Sequence, residues 1–96
     1  MRIYKVVTPG EWSRATDAGA FQGAAVDLAD GYIHLSTAEQ VEETVAKHFQ
    51  GTGELLLLTF DADDSGADLK WEASRGGALF PHLYADLDPA LAKAEA

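Results

Sequence analysis

The 96-residue sequence carries 16 acidic and 7 basic side chains, so its formal net charge is −9. Proteins that bind nucleic acid without regard to sequence need clustered lysine and arginine, and this charge balance excludes that class of function. Apolar residues make up 47% of the chain, which excludes intrinsic disorder and, with the length, predicts a single domain over residues 1–96.

The first third of the sequence predicts a strand, a helix and a loop. Residues 3–7 are apolar apart from Lys5 and rich in β-branched side chains, which is typical of a β-strand. The run Thr8-Pro9-Gly10-Glu11 has the form of a capping box with proline in the first turn, so a helix is predicted over 9–18 and should end at Gly19. Residues 20–31 contain glycine and aspartate at short intervals and are predicted to form a loop.

The middle of the sequence predicts a second strand that leads directly into a second helix. Residues 32–36 form a short apolar segment bounded by a turn signal, as expected for a strand. Ser36 is the predicted N-cap of a helix over 37–50, and Glu39 completes a capping box. Gly51 is placed where helices commonly end.

The last part of the sequence predicts extended segments. Four consecutive leucines within residues 54–60 favour a strand buried on both faces, and 69–73 and 79–87 are also predicted as extended. Pro81 has no backbone N–H, so its strand is expected to lie at a sheet edge, or to begin its pairing there. Asp88 is expected to cap a short C-terminal helix.

This order of elements predicts the α+β class, as a small single domain with a mixed or antiparallel sheet and two main helices. The sequence contains no cysteine, which excludes disulfides and thiolate metal sites. No apolar run approaches the roughly 20 residues that cross a bilayer, and the N-terminus lacks the apolar segment of a signal peptide. A cytoplasmic protein without membrane contacts is therefore expected.

His34 is the first candidate for chemistry. It lies between Ile33 and Leu35 on the predicted strand and should point to the opposite face. Ser36 and Thr37 then open a helix whose first amides can receive an anion, which indicates a ribose-phosphate or carboxylate site. The same pattern is also typical of a strand histidine that bonds to a backbone carbonyl, with Ser36 acting only as a cap.

A second group of candidates surrounds His82. Phe80 and Tyr84 share its side of the predicted strand, where aromatic rings can hold a planar ligand ring or simply form an edge of the core. Glu72 is a candidate general base, and Arg75 beside two glycines is a candidate for binding phosphate or carboxylate. Each is alternatively a solvated side chain. The histidines lack the short spacings of metal-binding motifs, so no metal site is predicted.

Long stretches of the sequence resemble the DUF952 family of small bacterial proteins. The resemblance runs from Ile3 to about Leu87 and depends most on Gly31-Tyr32-Ile33-His34-Leu35-Ser36-Thr37, Leu69-Lys70-Trp71-Glu72 and Phe80-Pro81-His82-Leu83-Tyr84. Ala85 replaces the glycine that usually follows the last run. The resemblance implies a fold related to the ADP-ribosyltransferase superfamily, whose members bind or cleave NAD, although the function of the family itself is not established.

The resemblance also implies a nucleotide or NAD-type pocket that cleaves or transfers at a ribose glycosidic bond. The implied catalytic residues are His34, which would orient the ribose, Glu72, which would accept a proton or stabilise a developing cation, and His82. The implied ligand-binding residues are Lys5, Ser36, Thr37, Arg75, Phe80 and Tyr84. The partner would be a small anionic ligand or a nucleotide, with NAD as the one cofactor implied.

A non-catalytic module that binds a small anionic metabolite is the second hypothesis. It predicts that a ligand stabilises the protein without being converted. Both hypotheses require His34, Glu72, Arg75 and His82 to converge on one cleft, because the groups of a small-ligand site must reach the same molecule. The sequence leaves the substrate, the oligomeric state and the occurrence of catalysis open.

Overall fold

The computed structural model of this chain describes residues 1–48, 53–73 and 77–95, and in them two antiparallel sheets and three α-helices form the fold. The strands are β1 (Arg2–Val7), β2 (Ile33–His34), β3 (Leu56–Asp61), β4 (Leu69–Ala73), β5 (Leu79–Leu83) and β6 (Lys93–Glu95). The helices are α1 (Pro9–Ala18), α2 (Ala25–Asp30) and α3 (Ala38–His48). The predicted α+β class is confirmed.

The core lies between the two sheets, whose strand orders are β1-β3-β6 and β2-β5-β4. β3 is the central strand of the first sheet, as its leucine-rich sequence favours. Leu58 and Phe60 are fully buried on one face of β3, whereas Leu57 on the other face is only half-buried. From the second sheet, Ile33 and Leu83 join the same core cluster. Every described strand pair is antiparallel, so the mixed-sheet alternative is not needed.

Helix α1 begins and ends where the local sequence signals place it. The Thr8 hydroxyl accepts a hydrogen bond from the Glu11 amide at 3.2 Å, and the Glu11 carboxylate accepts one from the Thr8 amide at 2.8 Å. This reciprocal pair is the predicted capping box. Gly19 ends the helix in a left-handed conformation, also as predicted. In the described residues, no helix has the length and apolar character needed to cross a bilayer.

The segment predicted as a loop over residues 20–31 contains α2, so the described residues form three α-helices where two main helices were predicted. At most helix starts the side chain of the N-cap residue accepts a hydrogen bond from the first turn, but the methyl group of Ala24 cannot accept one. Instead, Asp27 in the first turn reaches back and accepts a hydrogen bond from the Ala24 amide at 2.8 Å. A helix of six residues is also too short to show a 3.6-residue periodicity, and this is why the sequence pattern missed it.

The predicted capping role of Ser36 is wrong, because α3 begins two residues later. The Ser36 backbone exchanges two hydrogen bonds of 2.8 Å with Tyr4 of β1 and so connects the two sheets. Its hydroxyl lies 3.1 Å from the Thr44 hydroxyl. The Thr37 amide donates to the Gln40 side chain at 3.0 Å, so this pair takes the place predicted for Ser36 and Glu39. The predicted helix end at residue 51 lies outside the described residues.

Pro81 lies in the central strand of the second sheet, so the edge position predicted for it is wrong. The β2–β5 register pairs His34 with His82 and therefore sets Leu35 opposite Pro81. The Leu35 amide donates to the Pro81 carbonyl at 3.0 Å, but proline cannot return the second bond of the pair. In the chain direction along β5, pairing with β2 begins at Pro81. This confirms the second prediction for Pro81, that the pairing of its strand begins there.

The C-terminal segment forms a short turn and a strand. Asp88 caps the 3₁₀ turn Pro89–Leu91 by accepting a hydrogen bond from the Ala90 amide at 2.9 Å, as predicted. The chain then continues into β6, which the sequence analysis did not predict. β6 pairs antiparallel with β3 and completes the first sheet.

Candidate functional site

Two histidines meet on the second sheet because the strand register places them directly opposite each other. His34 on β2 and His82 on β5 are register partners, and their ring centroids are 5.5 Å apart with an interplanar angle of 67°. Tyr32 stacks on His82 at 4.2 Å and lies 4.7 Å from His34. We call His34 and His82 the histidine pair. Residues 48 positions apart in the sequence are thus brought to one place by β-sheet pairing.

The ring of His34 contacts a buried carboxylate, that of Asp27. Its Nδ1 lies 2.6 Å from Oδ1 of Asp27, and its backbone amide donates to the same oxygen at 3.0 Å. The Asp27 side chain is completely buried, whereas the His34 side chain is 30% exposed. Nε2 of His34 lies 2.9 Å from Oδ2 of Asp30, so both ring nitrogens face a carboxylate. The ring of His34 is therefore held in orientation by two carboxylates, one buried and one exposed.

Asp27 is also paired with a lysine, which makes its burial tolerable. Nζ of Lys5, itself 7% exposed, lies 2.9 Å from Oδ2 and 3.0 Å from Oδ1 of Asp27. Burial, the largest single influence, raises the pKa of Asp27, but the charge and hydrogen bond of Lys5 and the hydrogen bonds from His34 outweigh it and leave the pKa below its usual value. A buried ion pair is stable only when both charges are compensated, because removing one partner leaves the other charge buried without a counter-charge.

Gly23 is needed for Asp27 to occupy this position. A Cβ atom added at Gly23 would lie 2.7 Å from Cβ of Asp27, closer than two carbon atoms can approach. The φ angle of Gly23 is also +121°, a conformation that side chains rarely adopt. The glycine thus allows the chain to pass against the buried carboxylate.

His82 is held by a different carboxylate. Its Nδ1 lies 2.9 Å from Oε1 of Glu72 on β4, and the Tyr84 hydroxyl donates to the same oxygen at 2.6 Å. The hydrogen bond from Tyr84, followed by that from His82, lowers the pKa of Glu72. In return, the hydrogen bond to Glu72 is the main cause that raises the pKa of Tyr84 to about 12. His82 is buried, with 3% of its surface exposed.

A cavity of about 480 Å³ opens beside the histidine pair. His34 and His82 both line it, together with the hydroxyls of Ser36 and Thr44 and an apolar wall that includes Phe80. Nδ1 of His82 is directed to Glu72, which is not among the described lining residues, so Nε2 is the ring nitrogen left for a ligand. Among the described residues, nothing forms a hydrogen bond with that Nε2.

The charged groups on the cavity wall do not favour an anion. Lys5, Glu11 and Asp30 are the formally charged side chains of the described lining. The Lys5 ammonium is already neutralised by Asp27. Two carboxylates then remain, one of which, Asp30, contacts His34. A phosphate entering the cavity would therefore meet no unpaired cation among the described residues other than a protonated histidine.

Comparison with known proteins identifies the family. The family model described as "Protein of unknown function (DUF952)" matches residues 6–93. The chain belongs to the DUF952 family. It is 52% identical to protein CC0527 from Caulobacter crescentus, whose crystal structure it matches with a TM-score of 0.96 over 99% of this chain and 84% of that one. The solution NMR structure of CC0527 matches at 55% identity and a TM-score of 0.86, over 99% and 82% of the two chains.

No curated protein matches this DUF952 chain significantly. The matches therefore identify a family and a fold. The ADP-ribosyltransferase relationship implied by the sequence is not among these matches.

The fold brings most of the predicted site residues of this DUF952 protein together. Those that line the cavity are Lys5, His34, Ser36, Phe80 and His82. Glu72 and Tyr84 are absent from the described lining and instead hold His82 through one shared oxygen. The Thr37 amide is occupied by Gln40, so it does not offer the anion site expected at this helix start. Arg75 lies outside the described residues.

Three residues of the site were not predicted from the sequence: Asp27, Asp30 and Tyr32. Asp27 was hidden because the segment that carries it was predicted to be a loop, where an aspartate is expected to be solvated. One signal does point to it. The spacing Gly23-x-x-x-Asp27 followed by Gly31 is that of a short capped helix with a C-terminal glycine, which would have placed Asp27 on a helix just before the His34 strand.

Proposed function

We propose that this DUF952 protein binds a nucleoside-type ligand, a planar ring joined to ribose, in the cavity beside the histidine pair. The observation that carries the proposal is Nε2 of His82. The ring is buried, its Nδ1 is taken up by Glu72, and no described residue satisfies Nε2. A ligand hydroxyl that donates to this nitrogen adds a hydrogen bond, which contributes about 0.5–1.5 kcal/mol.

The walls of the cavity fit the two halves of such a ligand. A planar ring can lie against the apolar wall near Phe80, where burial of its faces is favourable. Ribose hydroxyls can bond to the polar groups of the lining, at Ser36, His82 and Asp30. The volume of about 480 Å³ is within the usual range of small-ligand cavities, roughly 300–1,000 Å³.

The charges of the site decide which end of a nucleotide enters. Because Lys5 is neutralised by Asp27 while Glu11 and Asp30 stay on the wall, a neutral or cationic ring with its ribose is favoured inside. The phosphates of a nucleotide would remain outside the cavity. The resemblance to the ADP-ribosyltransferase superfamily adds a reason to include NAD, whose nicotinamide riboside half has this chemistry.

Calorimetric titration tests the proposal. We expect wild-type protein to bind inosine, nicotinamide riboside and NAD, and to bind inorganic phosphate at least tenfold more weakly. His82→Phe keeps the stacked ring but removes both nitrogens, so affinity should fall about tenfold, which is the cost of one lost hydrogen bond.

Asp64→Asn is the matched control, because it removes an exposed charge of the turn Ala62–Asp68 and should leave binding unchanged. Thermal unfolding of each variant verifies that it is folded. If the wild-type protein binds none of the three riboside probes at millimolar concentration, the proposed function is wrong.

A further inference from the structure

We infer that the histidine pair is an acid–base pair that hydrolyses the N-ribosyl bond of a neutral nucleoside, with His82 as the base and His34 as the acid. This inference rests on the proposed ligand binding and adds a reaction to it. Glu72 and Asp27 act through the histidines and are positioning residues.

The hydrogen bonds that Glu72 accepts determine which ring nitrogen of His82 carries the proton. The Tyr84 hydroxyl donates to Oε1 of Glu72 at 2.6 Å, so that oxygen serves as an acceptor. The ring nitrogen 2.9 Å from the same oxygen must then be a donor, which puts a proton on Nδ1 of His82. The lone pair of the neutral ring is left on Nε2, and His82 is a lining residue of the cavity. His82 is thereby arranged as a base.

The surroundings of His34 place a carboxylate at each ring nitrogen. Asp27 already accepts a hydrogen bond from Lys5 and accepts one from Nδ1 of His34 as well. Asp30 lies 2.9 Å from Nε2, within hydrogen-bond distance of a proton on that nitrogen. Since His34 and Asp30 both line the cavity, a ligand there can reach this nitrogen, and in the proposed reaction it is the one that donates the proton. Histidines with distinct surroundings commonly divide the acid and base roles in this way.

The contact between the rings fixes their relative position. Their centroids are 5.5 Å apart, with an interplanar angle of 67°. Tyr32 stacks on His82 and also contacts His34, so both rings are fixed in orientation. Positioning of this kind is what general acid–base catalysis requires.

The proposed reaction balances without any further reactant than water. Nε2 of His82 takes a proton from water while the water oxygen bonds to the anomeric carbon of the ribose. The carbon–nitrogen bond breaks, and its electron pair stays on the ring nitrogen of the leaving base. His34 gives that base a proton from Nε2, and the two histidines then exchange one proton with solvent. Asp30 stabilises the positive charge that develops on the ribose.

Two substrates separate the two roles. Inosine releases a base that needs a proton, whereas p-nitrophenyl riboside releases a phenolate that does not. We expect wild-type protein to hydrolyse both. His34→Gln should lower kcat for inosine by about 100-fold and leave p-nitrophenyl riboside nearly unaffected, and His82→Gln should lower both by about 100-fold.

Several results would overturn the inference. Binding of inosine without hydrolysis of either substrate refutes the reaction but leaves the proposed binding intact, while absence of binding refutes the proposed function itself. Equal losses on both substrates in His34→Gln refute the acid role. Asp64→Asn again serves as the control variant.

The positioning role of Glu72 has its own readout. Ring ¹⁵N NMR of the wild-type protein should show His82 protonated at Nδ1, and Glu72→Gln should move it toward the Nε2-protonated tautomer while kcat falls and KM changes little. A His82 ring that carries its proton on Nε2 in the wild-type protein refutes the base role directly. Glu95→Gln, an exposed carboxylate on β6, is the matched control.

Discussion

The two carboxylate–histidine pairs of this DUF952 protein are built with opposite burial. In the first pair the carboxylate of Asp27 is completely buried and His34 is 30% exposed. In the second pair His82 is buried and Glu72 is 39% exposed. A buried carboxylate must be satisfied by protein groups, and Asp27 is, whereas an exposed carboxylate can be satisfied by water. The first pair therefore contributes to the stability of the fold. The second pair mainly sets the orientation of the His82 ring.

Removing the charge of Asp27 should give the largest effect and tests this difference directly. Asp27→Asn leaves the Lys5 ammonium buried without a counter-charge and weakens the hold on His34, so we expect a loss of about 3–5 kcal/mol in the free energy of unfolding. Urea denaturation measures it.

A second variant makes the Asp27 experiment specific. Lys5→Met combined with Asp27→Asn removes both charges and should recover part of the loss. Asp64→Asn controls for the removal of an acidic side chain at the surface. A loss below about 0.5 kcal/mol in Asp27→Asn, typical of surface substitutions, would show that the buried pair does not support the fold.

Gly23 provides the next largest effect, because it lies against the same buried carboxylate. Gly23→Ala forces a Cβ atom to within 2.7 Å of the Asp27 side chain and also strains a residue at φ +121°. We expect a destabilisation of about 2 kcal/mol by thermal or urea unfolding.

Gly31→Ala is the matched control for the steric part. Gly31 also has a positive φ of +87°, but an added Cβ atom there meets no other atom within 4 Å. We expect only the conformational cost of about 1 kcal/mol. Equal losses in the two variants would show that the close approach of Gly23 to Asp27 has no energetic consequence.

Acid should weaken the first pair in a defined pH range. The pKa of Asp27 is lowered in the folded state, so its contribution is present above the unfolded-state pKa of about 3.9 and is lost as the pH falls through the lower folded-state value. Unfolding measured between pH 7 and pH 2 should lose less stability in Asp27→Asn than in the wild-type protein.

Asp61 supplies a comparison for this acid effect. Its pKa is also lowered, chiefly by a hydrogen bond from the Asp63 amide, but its side chain is about half exposed. Asp61→Asn should therefore change the acid dependence less than Asp27→Asn does. If the free energy of unfolding falls equally steeply with pH below pH 4 in Asp27→Asn and in the wild-type protein, Asp27 does not contribute to the acid dependence.

Local signals in the sequence were sufficient for elements that their own side chains cap or bury. The capping box at Thr8 and Glu11 defined α1, and the leucine run defined β3, which the structure confirms. Such signals failed for α2, whose cap comes from Asp27 inside the helix. They also failed at Pro81, because the position of a strand within a sheet depends on its partners.

The candidate site was predicted unevenly for the same reason. The histidines stood out as residue types that carry chemistry, and His34 was expected on the face away from Ile33 and Leu35, both of which are buried. What orients the rings could not be deduced from spacing. Asp27 reaches His34 through a tertiary contact across seven residues, and Glu72 reaches His82 diagonally across two strands. Partners of this kind exist only once the register is set.

The smallest effect should come from Tyr84, at the exposed end of the second pair. Its hydrogen bond is the first cause of the lowered pKa of Glu72, so Tyr84→Phe should raise that pKa toward its usual value, as measured by ¹³C NMR of the carboxyl group. Stability should change little, because water can replace the hydroxyl at this exposed carboxylate. His82 remains as a second donor, so its Nδ1 tautomer should persist in Tyr84→Phe and be lost only in Glu72→Gln. A pKa of Glu72 that stays unchanged would mean that the hydrogen bond from Tyr84 does not form in solution.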